Sequence, residues 1–112
     1  MDCYEIWCDL KDGANDLRFT EDVAGYMSYL RERGLIEGFR LTRRKLGFGI
    51  PELGEFHITI ETRDLAQLEQ AFQRAASRDP EVEPLHARVY GAVRNTRFAL
   101  YRDFPDEVRK GS

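Results

Sequence analysis

Gly54-Glu55-Phe56-His57-Ile58-Thr59-Ile60-Glu61-Thr62 is the stretch on which the fold of this chain turns. Phe56, Ile58 and Ile60 alternate with His57, Thr59 and Glu61, the period of two that places apolar groups on one side of a β-strand and polar, partly ionisable groups on the other. In the middle of a sheet, a polar face is either wetted by solvent or lines a cavity. The elements on either side of the stretch set which sheet it belongs to.

Immediately downstream, Thr62 and Asp64 compete as caps for a helix, with Gln67 three residues after Asp64 in the manner of a capping box. Leu65, Leu68, Phe72 and Ala75 or Ala76 make its buried stripe, and Ser77-Arg78-Asp79-Pro80 ends it. Upstream, Ile36 to Leu46 reads as extended, with Phe39 and Leu41 opposed to Arg40, Thr42 and Arg44. Gly47, Gly49, Pro51 and Gly54 break the segment between the two runs into a loop, so they form an antiparallel pair joined by a long turn. The two close glycines of this loop lead toward a strand. A phosphate cradle needs amides at a helix start, so a nucleotide loop is not supported. Phe48 and Ile50 instead suit a cover over the sheet face.

Further out, Asp2 to Leu10 alternates as a strand, with Tyr4, Ile6, Cys8 and Leu10 on one side and Cys3, Glu5, Trp7 and Asp9 on the other. A helix carries Phe19, Val23, Tyr26, Met27 and Leu30 at helical spacing. Its start is either Asn15 or Asp16, or else Thr20 followed by two acidic residues. Arg31 and Arg33 suit its last turn, and Gly34 a left-handed cap. Toward the C-terminus, Glu83 to Val93 fits both periods, and Pro84 tips it to a short helix. Thr96 to Phe104 is extended, with Phe98 and Leu100 opposed to Arg97, Ala99 and Tyr101. Pro105 stops it.

The order is therefore strand, helix, strand, strand, helix, short helix, strand. With right-handed crossovers and helices on one face, it builds an α+β, ferredoxin-like βαββαβ domain over residues 1–105. Its sheet is four-stranded and antiparallel, with an extra short helix before the last strand, and 106–112 form a polar C-terminal tail. A chain of 112 residues suffices for one core without disulfides or metal. Cys3 and Cys8, five apart on a strand, point to opposite faces and read as reduced.

Composition narrows the function classes. Seventeen basic and twenty acidic residues are mixed along the chain for a net charge of −3, which disfavours nucleic acid as a main partner. Asp2, Glu5 and Asp9 do not fit a secretory signal, and no run approaches a membrane-spanning helix, so a cytoplasmic location without membrane attachment is expected.

Two amphipathic helices cover one side of such a sheet, and the apolar series must be that side. The other side collects Glu5, Trp7, Asp9, Arg40, Thr42, Arg44, His57, Thr59, Glu61, Ala99 and Tyr101. In element order, length and the short extra helix, nearly the whole chain resembles the dimeric α+β barrel superfamily, most of all its small uncharacterised bacterial members. The resemblance implies a homodimer closed through the open sheet faces, around a lumen able to take a small molecule. It transfers no catalytic motif.

On that face His57 is the candidate catalytic residue, since an imidazole titrates near neutral pH and Glu5 or Glu61 would orient it. The alternative is a histidine hydrogen-bonded across a dimer interface. Glu5, Trp7, Arg40, Arg44, Thr59, Glu61 and Tyr101 are the candidate ligand-binding residues; Arg40 and Arg44 suit a carboxylate or phosphate, unless they pair with Glu5, Asp9 and Glu61. No metal site is expected, because His57, Glu5 and Glu61 lack a signature spacing, and no haem or other cofactor is implied at His57 or His86. RNA binding needs base-stacking aromatics on the central strands, where only Trp7 is available. The expected protein is a small-molecule binder of unassigned role. The alternatives are an enzyme using His57, resembling cofactor-independent monooxygenases, and a structural or regulatory dimer without catalysis.

Overall fold

In the computed structural model, which describes residues 1–106, the chain runs β1 (Asp2–Leu10), α1 (Asp16–Glu32), β2 (Gly38–Arg43), β3 (Phe56–Thr62), α2 (Leu65–Ala76), α3 (Glu83–Tyr90) and β4 (Val93–Arg102). Of the tail expected over 106–112, Asp106 is exposed and 107–112 lie outside the described residues. The strands form one antiparallel sheet in the order β2-β3-β1-β4, so β1 and the quoted stretch are central, the ferredoxin-like arrangement.

Register puts Leu41, Ile58, Ile6 and Phe98 in one row across the sheet, and Phe39, Ile60, Tyr4 and Leu100 in the next. This is the face the helices cover. Phe19, Val23, Met27 and Leu30 of α1 are buried with Ile6, Phe56, Ile58 and Ile60, and the Phe19 ring meets Phe56 edge-on at 5.3 Å. Each such side chain contributes about 1.5–3 kcal/mol of apolar burial.

Asn15 resolves the start of α1: its Oδ1 accepts from the Arg18 amide at 2.9 Å, while Thr20 lies inside the helix and donates to the Asp16 carbonyl. The end is a Schellman turn. Gly34 takes φ 71°, its amide donates to Arg31 O, and the Leu35 amide donates to Leu30 O. The segment from Glu83 is helical, with Pro84 in its first turn.

Three expectations need correction. β2 is shorter than Ile36 to Leu46, because Ile36 drops into the core and Leu46, at φ 55°, already turns the chain. β4 runs from Val93 rather than Thr96 and ends at Arg102. A bulge places Asn95 and Thr96 against Cys8, with Asn95 at φ 55°, a conformation asparagine tolerates. The buried residues of α2 are Gln67, Leu68 and Ala71, whereas Leu65 and Phe72 are about half exposed. Gln67 turns the helix this way because its amide is fully used: Oε1 accepts from the Arg63 amide, and Nε2 donates to Gly34 O and Glu37 Oε2.

Among the described residues no helix is long and apolar enough to cross a membrane.

Candidate functional site

The uncovered face carries three rows of side chains: Thr42, His57, Trp7 and Arg97; Arg40, Thr59, Glu5 and Ala99; Gly38, Glu61, Cys3 and Tyr101. Strand alternation alone delivers these residues to one side; pairing β1 with β3 makes Trp7 face His57 and Glu5 face Thr59.

At the centre, His57 Nε2 lies 2.7 Å from Glu5 Oε2, and Thr59 Oγ1 donates to the same oxygen at 2.7 Å. As a carboxylate Glu5 can only accept, so Nε2 carries the hydrogen, and in the neutral ring Nδ1 is the nitrogen with the lone pair. Trp7 stacks on the imidazole with centroids 4.5 Å apart and planes 10° from parallel, which fixes the ring's plane. The Glu5 side chain is 14% exposed and that of His57 31%, so the cluster is sheltered but reachable. An oriented imidazole with one free nitrogen is equipped to accept a hydrogen bond or a proton, and Glu5 would stabilise the resulting imidazolium.

The other candidates are distributed around this trio. Arg40 stands across from Thr59 on the outer strand, exposed, and makes no ion pair among the described residues. Two of the three carboxylates expected to neutralise it are engaged elsewhere. Glu5 holds His57, and Asp9 accepts from the Glu55 amide at 2.9 Å and from Asn95 Nδ2 at 3.2 Å. The Glu55 amide is the main reason the Asp9 carboxyl is held below its ordinary pKa. Arg44 is turned into the loop, where its guanidinium donates to the carbonyls of Ile50 and Leu53. Glu61 lies over Gly38, away from His57, and Tyr101 is exposed on β4 opposite Cys3. Burial, and then the Glu5 charge, raises the Cys3 pKa, so it is a thiol at neutral pH rather than a nucleophilic thiolate.

Between Trp7, His57 and Thr42 on the sheet and Phe48, Ile50 and Leu53 of the loop lies a cleft of ≈ 220 Å³. Phe48 and Ile50 are 81% and 59% exposed, apolar side chains beside the polar trio. Arg97, opposite Trp7, is a member of the face that strand alternation offered but the sequence reading passed over. Among the described residues no group of three His, Cys, Asp or Glu side chains is placed to hold a metal.

A model of a family of unknown function, DUF6614, matches residues 1–112. No curated protein matches the chain. Solved structures do. The At3g17210 protein of Arabidopsis thaliana superposes with a TM-score of 0.71 at 14% identity, over 96% of this chain and 99% of that one. A dimeric ferredoxin-like protein of unknown function from Jannaschia sp. CCS1 gives 0.67 at 12%, over 91% and 98%. SnoaB, a cofactor-independent oxygenase from Streptomyces nogalater, gives 0.59 at 12%, over 94% and 97%. At these identities the likeness is one of fold.

Proposed function

We propose, on the premise that the chain belongs to the DUF6614 family of unknown function, that it is a cytoplasmic homodimer of the bacterial α+β barrel type that binds a small molecule at its sheet face. The observation that carries this reading is the Glu5–His57–Thr59 network, with His57 stacked on Trp7, on the side of the sheet that no helix among the described residues covers. A half-sheltered, pre-oriented imidazole beside a cleft suits recognition of a ligand that presents a proton to Nδ1. Arg40, Glu61 and Tyr101 would line the wider lumen, and Arg44 would brace the loop that bounds it. The dimeric state described for the Jannaschia protein, and for ferredoxin-like proteins from Bacteroides fragilis and Thermobifida fusca, supports the assembly. In the enzymatic version of this reading, His57 takes up the ligand's proton while Glu5 holds the imidazolium. The oxygenase description of SnoaB is consistent with such chemistry without a cofactor. Neither nucleic acid nor membrane is part of this reading.

A non-catalytic dimer is the second reading. It is favoured by the fact that His57 already has a hydrogen-bond partner and a stacking partner within the chain, as a purely structural interface histidine would.

Trp7 is the sole tryptophan, so its emission reports directly on the ring it stacks against. Screening small acidic and aromatic compounds by Trp7 fluorescence should find ligands whose affinity falls at least tenfold in His57→Ala while sedimentation still shows a dimer. Ligands that bind His57→Ala unchanged remove His57 from the site, and a monomer at high concentration removes the assembly.

A further inference from the structure

The side of the sheet that the helices do cover is not completely filled. A cavity of ≈ 240 Å³ lies between α1, α2, α3 and the sheet, walled by Met27, Leu30, Ile60, Leu68 and Ala71. Phe72 and Phe98, each about half exposed, stand at its opening. Helix α2 lines it with small Ala71 and Ala75, while its Phe72 meets the Tyr4 ring edge-on at 5.1 Å.

Four residues that carry polar groups line the same space: Tyr4, Tyr26, Tyr90 and His86. His86 stacks on Tyr90 at 4.4 Å and meets Tyr26 edge-on at 5.9 Å. Elsewhere in the chain Tyr29 donates its hydroxyl to Glu81, but these four groups have no hydrogen-bond partner among the described residues. Nor is any of them among the sealed, unpartnered polar atoms, so each opens onto accessible space. Burial, ahead of the Tyr4, Tyr26 and Cys8 groups, raises the pKa of Tyr90, so its phenol is a neutral hydrogen-bond donor. Polar groups gathered round an apolar hollow without protein partners call for a partner from outside.

The lining contains no Asp, Glu, Lys or Arg, so a charged occupant would lose its hydration without compensation. Apolar cavities of roughly 150 Å³ admit benzene. At interior packing density, the larger volume here holds about a dozen non-hydrogen atoms.

We propose that this helix-side cavity is a second ligand site, separated from the His57 face by the sheet itself. It takes a small uncharged molecule with an aromatic body and one carbonyl or hydroxyl oxygen, which the Tyr4, Tyr26, Tyr90 and His86 cluster engages.

Acetophenone and ethylbenzene, alike in shape but differing in the carbonyl, serve as probes in amide-resolved NMR titrations of the whole protein. Acetophenone should shift amides of α2 and α3 around Leu68, Ala75 and Tyr90 and leave Thr42 and Thr59 unmoved, with a Kd on the order of a millimolar for so few atoms. Ala75→Phe, which fills the cavity from its half-buried wall, should weaken both probes at least tenfold. The volume-preserving Tyr26→Phe/Tyr90→Phe pair should weaken acetophenone at least threefold more than ethylbenzene. Absence of shifts in α2 and α3 of the unaltered protein at saturating probe overturns the site, whatever the variants do. Shifts centred on Thr42 and Thr59 overturn it equally. Undiminished binding in folded Ala75→Phe removes the cavity as the location, and equal losses of the two probes in the tyrosine pair overturn the polar half of the assignment.

Discussion

Asp9 shows how a residue on the open face can be committed to architecture. Its two oxygens tie the start of β3, through the Glu55 amide, to the bulge of β4, through Asn95. Asp9→Ala leaves a half-sheltered amide without its acceptor and should cost about 1–3 kcal/mol in urea denaturation. The pH signature has a definite sign. The folded carboxyl is held below the ordinary value of 3.8, so its contribution is fully present above that pH and is lost as pH falls through the folded pKa. The unaltered protein should therefore lose stability below about pH 4, where unfolded-state carboxyls begin to protonate, and Asp9→Ala should lose less over the same interval. An identical acid profile for the two proteins would count against this role. Glu5 belongs to the same strand face two rows away, yet its oxygens are spent on side chains rather than backbone. That difference separates a brace from a site.

Helix α3 has a pH response of its own. His86 is half-buried between Tyr26 and Tyr90, with the Glu83 charge acting on it from its own helix. Burial lowers its pKa below the ordinary 6.5, and the Glu83 carboxylate opposes that shift without cancelling it. The neutral ring is thus the folded form. Stability is complete above about pH 6.5 and declines as pH drops through that value toward the folded pKa, because only the unfolded chain takes up the proton freely. Urea midpoints at pH 7.5 and 5.5 should differ, and His86→Gln should narrow the difference. If the histidine contributes nothing, the two proteins will show the same pair of midpoints. The window lies well above that of Asp9, so the two effects can be read from one titration series.

At the scale of the whole molecule, the apolar groups left outside are informative. Phe48 and Ile50 on the loop and Tyr101 on β4 belong to the uncovered side, together with Arg40, which makes no ion pair among the described residues. A second copy laid on that side would shelter them, and the unfolding midpoint would then depend on concentration by mass action. Raising the protein concentration a hundredfold should raise Tm by roughly 5–10 °C, since linkage adds about 2.7 kcal/mol per dimer, about 1.4 kcal/mol per chain, and a domain of this size shifts about 4–8 °C per kcal/mol. A Tm independent of concentration, alongside monomer mass, would leave the sheet face as a solvated surface.

Local pattern was enough for much of this. The alternation through Phe56, Ile58 and Ile60 specified a strand and which side faced the core; Thr62 and Asp64 bracketed the helix start, where Asp64 proves to be the cap; Pro84 tipped an ambiguous segment to helix. Each is a choice made within a few residues, where backbone sterics and hydrogen-bond geometry act directly. What sequence could not supply was decided by distance between segments. Whether Glu5 or Glu61 would meet His57 depended on register across β1 and β3, and only tertiary pairing sets that. Arg44 left the open face because two loop carbonyls lay within its reach. The helix-side cavity was invisible for the same reason. A stripe of Leu65, Leu68 and Phe72 looks filled along the helix, but of the three only Leu68 is buried, and small Ala71 and Ala75 line the space that tertiary packing leaves between α2 and the sheet.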